Sequence, residues 1–183
     1  MRLTNYRVKI APLRKGAFLS KGDTLIISGH FYFLSQQFFT DFPDPNILPN
    51  KQVNCSNGGR PYFAAFEKDH IWWMIPITSK RTKFENLYKQ KIQKYGKCDT
   101  IVLADCFGTL GALLIQNMVP VVEAYIKCEY CNSQTNLPYR VSQATESTTI
   151  NNSQKIYALV KTNPQSHLVF TNILSIETAL KNR

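Results

Sequence analysis

Thr78 and Ser79, followed at once by Lys80, Arg81 and Lys83, are the residues of this chain whose types and spacing could do chemistry. Cutting a ribose phosphodiester by attack of the adjacent 2'-hydroxyl has three needs. A proton must leave the nucleophile, charge must be stabilised on the non-bridging oxygens, and a proton or charge must reach the leaving 5'-oxygen. Lysine and arginine cover the last two, and a lysine crowded by other cations can give or take a proton. A hydroxyl can hold a phosphoryl oxygen or relay the proton. The same residues also read as a strand end with a polar turn, and the tripeptide alone does not decide between the two.

The cations do not stop there. Between Lys80 and Lys97 stand seven (Lys80, Arg81, Lys83, Lys89, Lys91, Lys94, Lys97) against one acid, Glu85. A solvated surface helix usually mixes signs to gain pairs one turn apart, so this imbalance sets a polyanion-binding ridge level with the reading of a plain solvated helix. Tyr62, Tyr88 and Trp73 are aromatics near it on which splayed bases could stack, although Trp73 equally suits a core. Arg60, ahead of Pro61-Tyr62, can clamp a phosphate or pair with a carboxylate. Gln116 and Asn117 interrupt an apolar run, and each either satisfies backbone groups inside the fold or reads a base edge.

Other polar clusters carry less. Cys128-x-x-Cys131 has no second pair or nearby His, so local sequence cannot complete a four-ligand zinc site. His30, His70 and His167 and the scattered cysteines suggest no Ser-His-Asp or Cys-His hydrolase. No metal or other cofactor is expected.

The elements that must position these groups can be read from the pattern. Phe31 to Leu34 is a buried strand, and Ser35 caps a short helix through Phe38, Phe39 and Phe42, after which Pro43, Pro45 and Pro49 force a loop. Pro61 to Phe66 and Ile71 to Ile77 form a hairpin across the turn Glu67-Lys68-Asp69-His70. Phe84, Leu87, Tyr88, Ile92 and Tyr95 recur at helical spacing from Thr82 until Gly96 stops the helix. Thr100 to Leu103 and Ala112 to Met118 read as strands, the second ending in Gln116-Asn117. The tail is helical, from a cap at Ser147 to Thr149 as far as Lys161, and again from Ile173 to Leu180. Strands ahead of helices predict an α+β domain with a strongly twisted antiparallel sheet or a partly open barrel, with inserted and C-terminal helices.

At 183 residues, 44% of them apolar, the chain can bury one ordinary core. Residues 30–183 read as a single domain. Residues 1–29, with only the strand-like run Thr24 to Ser28 in them, read as an N-terminal extension. A formal charge of +10 favours a polyanionic partner, nucleic acid or an anionic membrane surface. The most apolar window, Gly108 to Ile126, is broken by Gln116, Asn117, Pro120 and Glu123, so no membrane span is predicted. The N-terminus lacks a compact apolar stretch followed by a small-residue cleavage site, and five Cys is an odd number; both suit a reducing, cytoplasmic location.

Six words of sequence, in order, resemble a known family. They are Phe31-Tyr-Phe-Leu-Ser35, Gly59-Arg-Pro-Tyr62, Trp73-Met-Ile-Pro-Ile-Thr-Ser-Lys80, Lys83-Phe84, Lys94-Tyr-Gly-Lys-Cys-Asp-Thr100 and Leu114-Ile-Gln-Asn-Met-Val-Pro120. Together they resemble the ToxN/AbiQ-like endoribonuclease toxins of type III toxin-antitoxin systems, the CptN-like branch most of all. The resemblance implies a fold distantly like the MazF/Kid toxins and metal-independent cleavage of cellular or phage RNA to a 2',3'-cyclic phosphate and a 5'-hydroxyl. The partner it implies is a small repeated RNA antitoxin, folded as a pseudoknot, which the toxin processes and with which it assembles into a heteromeric complex. By position, Thr78 and Ser79 match the family's hydroxyl pair. The lysine that follows could be Lys83, which precedes an aromatic, or Lys80 with Arg81, which are nearer in register to other relatives. Arg60, Tyr62, Tyr88, Lys89, Lys91, Lys94, Lys97, Gln116 and Asn117 are the expected RNA contacts. A non-catalytic RNA-binding module, a MazF-like toxin with a protein antitoxin and a membrane-surface protein are the rival readings.

Overall fold

A computed structural model describes residues 25–50, 59–106 and 108–183, so residues 1–24 and Cys55 lie outside the described residues. Seven strands, all antiparallel, form one sheet: β1 (Phe31–Leu34), β2 (Pro61–Lys68), β3 (Ile71–Thr78), β4 (Ile101–Cys106), β5 (Thr109–Leu114), β6 (Val119–Val121) and β7 (Ile126–Glu129). Four α-helices join them: α1 (Gln36–Asp41), α2 (Arg81–Tyr95), α3 (Gln143–Thr162) and α4 (Ile173–Lys181). The order across the sheet is β4-β5-β3-β2-β1-β7, with β6 also on β3. The two ends of this path, β4 and β7, do not pair, so the sheet is open and not a closed barrel.

β3 carries the architecture. On one edge it pairs with β2 from Lys68↔Ile71 to Tyr62↔Pro76, the short turn being made by Asp69 and His70 at φ 53° and 60°. On its other edge it pairs first with β6, from Trp72↔Val121 to Met74↔Val119, and then with β5, at Ile77↔Leu113 and Thr78↔Ala112. Pro76 sits where that edge changes partner, a place where a residue without an N–H costs the ladder least.

Both faces of β3 are buried. Trp73, Ile75 and Ile77 join Phe31, Phe63 and Leu113 beneath α3, whereas Met74 joins Tyr32, Tyr62 and Ala64 beneath α1 and α4. A third, smaller cluster of Ile101, Ala112 and Leu114 is covered by Phe84, Leu87 and Tyr88 of α2. Gly96 ends that helix at φ +72°, a conformation that glycine takes without a Cβ penalty.

Three elements differ from the sequence reading. The strand predicted over Ala112 to Met118 stops at Leu114, and Ile115–Asn117 turn as a 3-10 helix whose side chains point inward. α3 begins at Gln143, capped by Ser142 Oγ accepting from Thr145 N, not at Ser147 to Thr149. Its polar first turns hide the start because the hydroxyls turn back on the helix: Thr149 Oγ1 donates to Thr145 O and Ser153 Oγ to Ile150 O, which lets both residues be buried. Residues 25–28 form no strand. They lie against the sheet with Ile26 buried, and Gly29 N donates to Ala64 O.

The two C-terminal helices are clasped to the sheet through Tyr157, whose ring lies 4.4 Å from that of Trp73 and whose hydroxyl donates to Glu177 Oε1 at 3.0 Å. Burial alone would raise the Glu177 carboxyl, but hydrogen bonds from Lys181 and Tyr157 and the nearby Lys161 charge outweigh it and hold it low. Burial, then the bond to that carboxylate, pushes the Tyr157 hydroxyl up to about 12. The folded state thus prefers the neutral phenol, so its contribution is whole below pH ~10, where the unfolded phenol titrates, and is lost as pH rises towards 12. Burial raises Tyr62, Tyr32 and Tyr125 as well, so urea unfolding of the wild type between pH 9 and 11.5 should show a loss of stability that is smaller, but not abolished, in Tyr157→Phe, itself less stable at neutral pH.

Candidate functional site

The cations and hydroxyls singled out in the sequence meet at the corner where β3 ends and α2 begins. Thr78 is buried, 8% exposed, and its Oγ1 accepts from Lys80 N at 3.2 Å, which turns the chain out of the strand. Ser79 and Lys80 are exposed on that turn. α2 then starts with Lys80 as its N-cap, no capping side chain and no acid in its first turn. Uncapped N–H groups and the positive end of the helix dipole therefore add to Lys80, Arg81 and Lys83.

Arg60 completes the corner from the neighbouring strand. The β2–β3 register, last paired at Tyr62↔Pro76, carries on to bring Arg60 alongside Thr78, and Arg60 Nη1 donates to Ile77 O at 2.6 Å. Its backbone N donates to Asn50 Oδ1 at 2.9 Å. Gly59 makes that possible, since a Cβ there would stand 2.5 Å from the same oxygen. Arg60 Nε is buried without an acceptor, and burial draws the guanidinium's pKa down with only Tyr62 opposing it. No carboxylate compensates it among the described residues. A half-buried cation in that condition is a ready anion site.

The remaining cations sort by what they touch. Arg81 is half-buried between Glu85 (3.3 Å) and Gly111 O (3.5 Å), so it fastens the start of α2 to β5. Lys89 pairs with Glu85 (3.1 Å) and Lys97 lies 3.9 Å from Asp99. Among the described residues Lys80, Lys83 and Lys94 meet no acid, and the ammoniums of Lys83 and Lys94 lie over the rings of Phe84 and Tyr95, at 5.7 and 5.0 Å.

Four of the expected RNA contacts turn inward. Tyr62 is fully buried with its hydroxyl on Leu48 O (3.3 Å), leaving no face for a base to stack on. Lys91 Nζ donates to Thr100 Oγ1 (2.7 Å) and to Gln116 Oε1 (3.0 Å), and Gln116 is 2% exposed. Asn117 Nδ2 donates to Asn46 O at 3.2 Å. The polar residues that interrupt the apolar run therefore satisfy the interior, and Lys91 staples α2 to the sheet. Tyr88 is half-buried in the cluster under α2, and Trp73 is core.

Cys128 pairs across from Phe33 in β7, whereas Cys131 lies past the end of that strand, bridged to Pro138, with its Sγ 3.9 Å from Glu129 Oε2. His30 Nδ1 pairs with Glu129 Oε1 (2.5 Å) at the other end of β1, away from the corner.

Among the solved structures that share this fold are these three. The first is AbiQ, a lactococcal anti-phage endoribonuclease of a type III toxin-antitoxin system: 16% identity, TM-score 0.58, covering 84% of this chain and 98% of that one. The second, from work on bacterial type III systems in which a non-coding RNA pseudoknot selectively inhibits the toxin, has 18% identity, TM-score 0.61 and coverage of 85% and 98%. The third, from a bacterial antiviral system regulated by a processed non-coding RNA, has 14% identity, TM-score 0.59 and coverage of 84% and 98%. At these identities the likeness is one of fold, and it does not single out a CptN-like branch. No protein-family model and no curated protein matches the sequence. No helix among the described residues is long and apolar enough to cross a membrane.

Lys91→Met keeps the stem and removes both hydrogen bonds, leaving Thr100 and Gln116 without that donor. It should cost about 1–3 kcal/mol in urea unfolding. Lys89→Met, at an exposed pair, should stay within about 0.5 kcal/mol. Equal effects would remove Lys91 from the structural class.

Proposed function

We propose that this protein is an endoribonuclease toxin of a type III toxin-antitoxin system, cutting cellular or phage RNA in the cytoplasm and held off by a small repeated pseudoknot RNA that it processes and assembles with. One observation carries the reading: an uncompensated guanidinium, two hydroxyls and two unpaired lysines converge where β3 meets the uncapped start of α2. A fold shared over most of the chain with AbiQ and the other two structures supports it.

The chemistry follows from what each group can do. Arg60, fixed on Ile77 O, holds a non-bridging oxygen of the scissile phosphate, with the first turn of α2 on the other. The 2'-oxygen attacks phosphorus, the 2'-O–P bond forms and the P–O5' bond breaks, leaving a cyclic phosphate and a 5'-hydroxyl. Ser79 holds the phosphoryl oxygen or relays the 2'-proton. Lys80 and Lys83, three residues apart and so on one flank of the helix, take up that proton and supply one to the 5'-oxygen. Thr78 shapes the turn through Lys80 N, and Arg81 holds the helix start in place. These groups suffice for the reaction without a metal. Lys89, Lys94 and Lys97 lie along the path of the bound RNA.

The test is incubation of the protein with total cellular RNA in EDTA, mapping cut sites and end groups. Cuts at a recurring short motif with cyclic-phosphate and 5'-hydroxyl ends are expected, falling about 10²- to 10⁴-fold in Lys83→Ala, Ser79→Ala and Arg60→Ala. Binding should weaken steeply with salt, as expected of many phosphate contacts. Intact RNA that binds tightly would make the protein a binding module instead.

A further inference from the structure

The apolar stripe of α2 outruns the surface that it packs on. Phe84, Leu87 and Tyr88 lie over Ile101, Ala112 and Leu114, but a turn later Ile92 is 37% exposed and Tyr95 63% exposed. A tyrosine on the core-facing stripe of a helix ordinarily finds a wall; this one overhangs. Beyond it the ground is open, since a Cβ on Gly96 would meet no atom within 4 Å.

The charges around the overhang are mostly positive. Lys94 Nζ lies 5.0 Å from the centre of the Tyr95 ring. Lys97 and, from α3, Lys155 both reach Asp99, at 3.9 and 2.5 Å. Two ammoniums thus share one carboxylate, and Lys94 has none. An exposed, cation-flanked aromatic in such a setting complements a chain that offers both π-faces and phosphates.

We propose that Tyr95 is a base-stacking site for single-stranded RNA, with Lys94, Lys97 and Lys155 as its phosphate contacts. Twelve residues of helix separate Tyr95 from Lys83, about 18 Å at 1.5 Å per residue, so the base it stacks belongs to a nucleotide other than those at the cut. The inference deepens the endoribonuclease reading and rests on it: RNA engaged at the corner continues along α2 to this second contact.

The probes are a fluorescein-labelled 14-nucleotide 2'-O-methyl RNA without self-complementarity, which lacks the attacking hydroxyl, and its abasic counterpart with the same backbone. In anisotropy titrations of the full chain, Tyr95→Ala should weaken binding of the base-bearing probe about 5- to 100-fold, the range of one lost stacking contact, and leave the abasic probe unchanged. Tyr95→Phe should bind like the wild type, and Lys94→Ala should weaken both probes. Tyr95 is exposed, so the thermal unfolding of Tyr95→Ala should match that of the wild type. Equal binding of both probes by Tyr95→Ala and wild type, or an equal loss on both, overturns the stacking site. The same unmodified RNA separates the two failures. If the wild type cuts it while Tyr95→Ala binds normally, only the stacking site falls; if the wild type neither cuts nor binds it, both readings fall.

Discussion

The change of partner along the outer edge of β3 is the constraint on which the rest depends. β2 runs beside the whole strand, but β6 and then β5 share its other side, with Pro76 at the handover. The residues before Pro76 are therefore held in the middle of the sheet, and the two after it are held by β5 alone on that edge. Thr78 is the last residue so held, which fixes where Ser79 and the start of α2 emerge. Buried side chains on both faces, Trp73 and Ile77 on one and Met74 on the other, keep the strand from slipping, because a one-residue shift would exchange the faces.

Electrostatics at the corner runs against folding. A guanidinium drawn down by burial, an uncapped helix start and two lysines without acids all repel one another or lose hydration, and the one acid of α2, Glu85, is taken by Arg81 and Lys89. Ordinary surface helices avoid this by capping and by mixing signs. The chain does both elsewhere: Ser142 caps α3, and Glu177 gathers Lys161 and Lys181. α1 is uncapped too, but it carries no cation; at the start of α2 the missing cap coincides with lysines, and a compensating acid there would compete with phosphate.

Much of this was legible in the residues. The hairpin of β2 and β3, the span of α2 and its stop at Gly96 follow from alternation, helical period and a glycine that can take φ > 0, all local rules. β6 and β7 were not legible, since three or four residues carry too little pattern and their pairing is set by distant strands. The start of α3 was hidden because its hydroxyls serve the helix and not a loop. At the site, sequence could name the cations but not sort them. Lys91 and Lys94 are three residues apart with the same chemistry, yet one is tied to Gln116 inside the fold and the other lies over Tyr95. Only the position of Thr100 and Gln116, brought by β4 and the 3-10 turn, separates them.

That sorting changes what the net charge means. A formal +10 says that a polyanion will be attracted, but attraction from a distance is insensitive to which lysines supply it. In the proposed reading, recognition at close range falls first to cations that no carboxylate neutralises among the described residues: Arg60, Lys80 and Lys83 at the corner, and Lys94 at the far end of the same helix. Arg81 and Lys91, bonded to Gly111 O and Gln116 Oε1, instead fix the helix to the sheet. α2 buries no residue completely, and a helix held so lightly by apolar packing needs such polar staples to keep its free cations in register with the strand end. The basic helix thus holds itself in place with some of its lysines and presents the others.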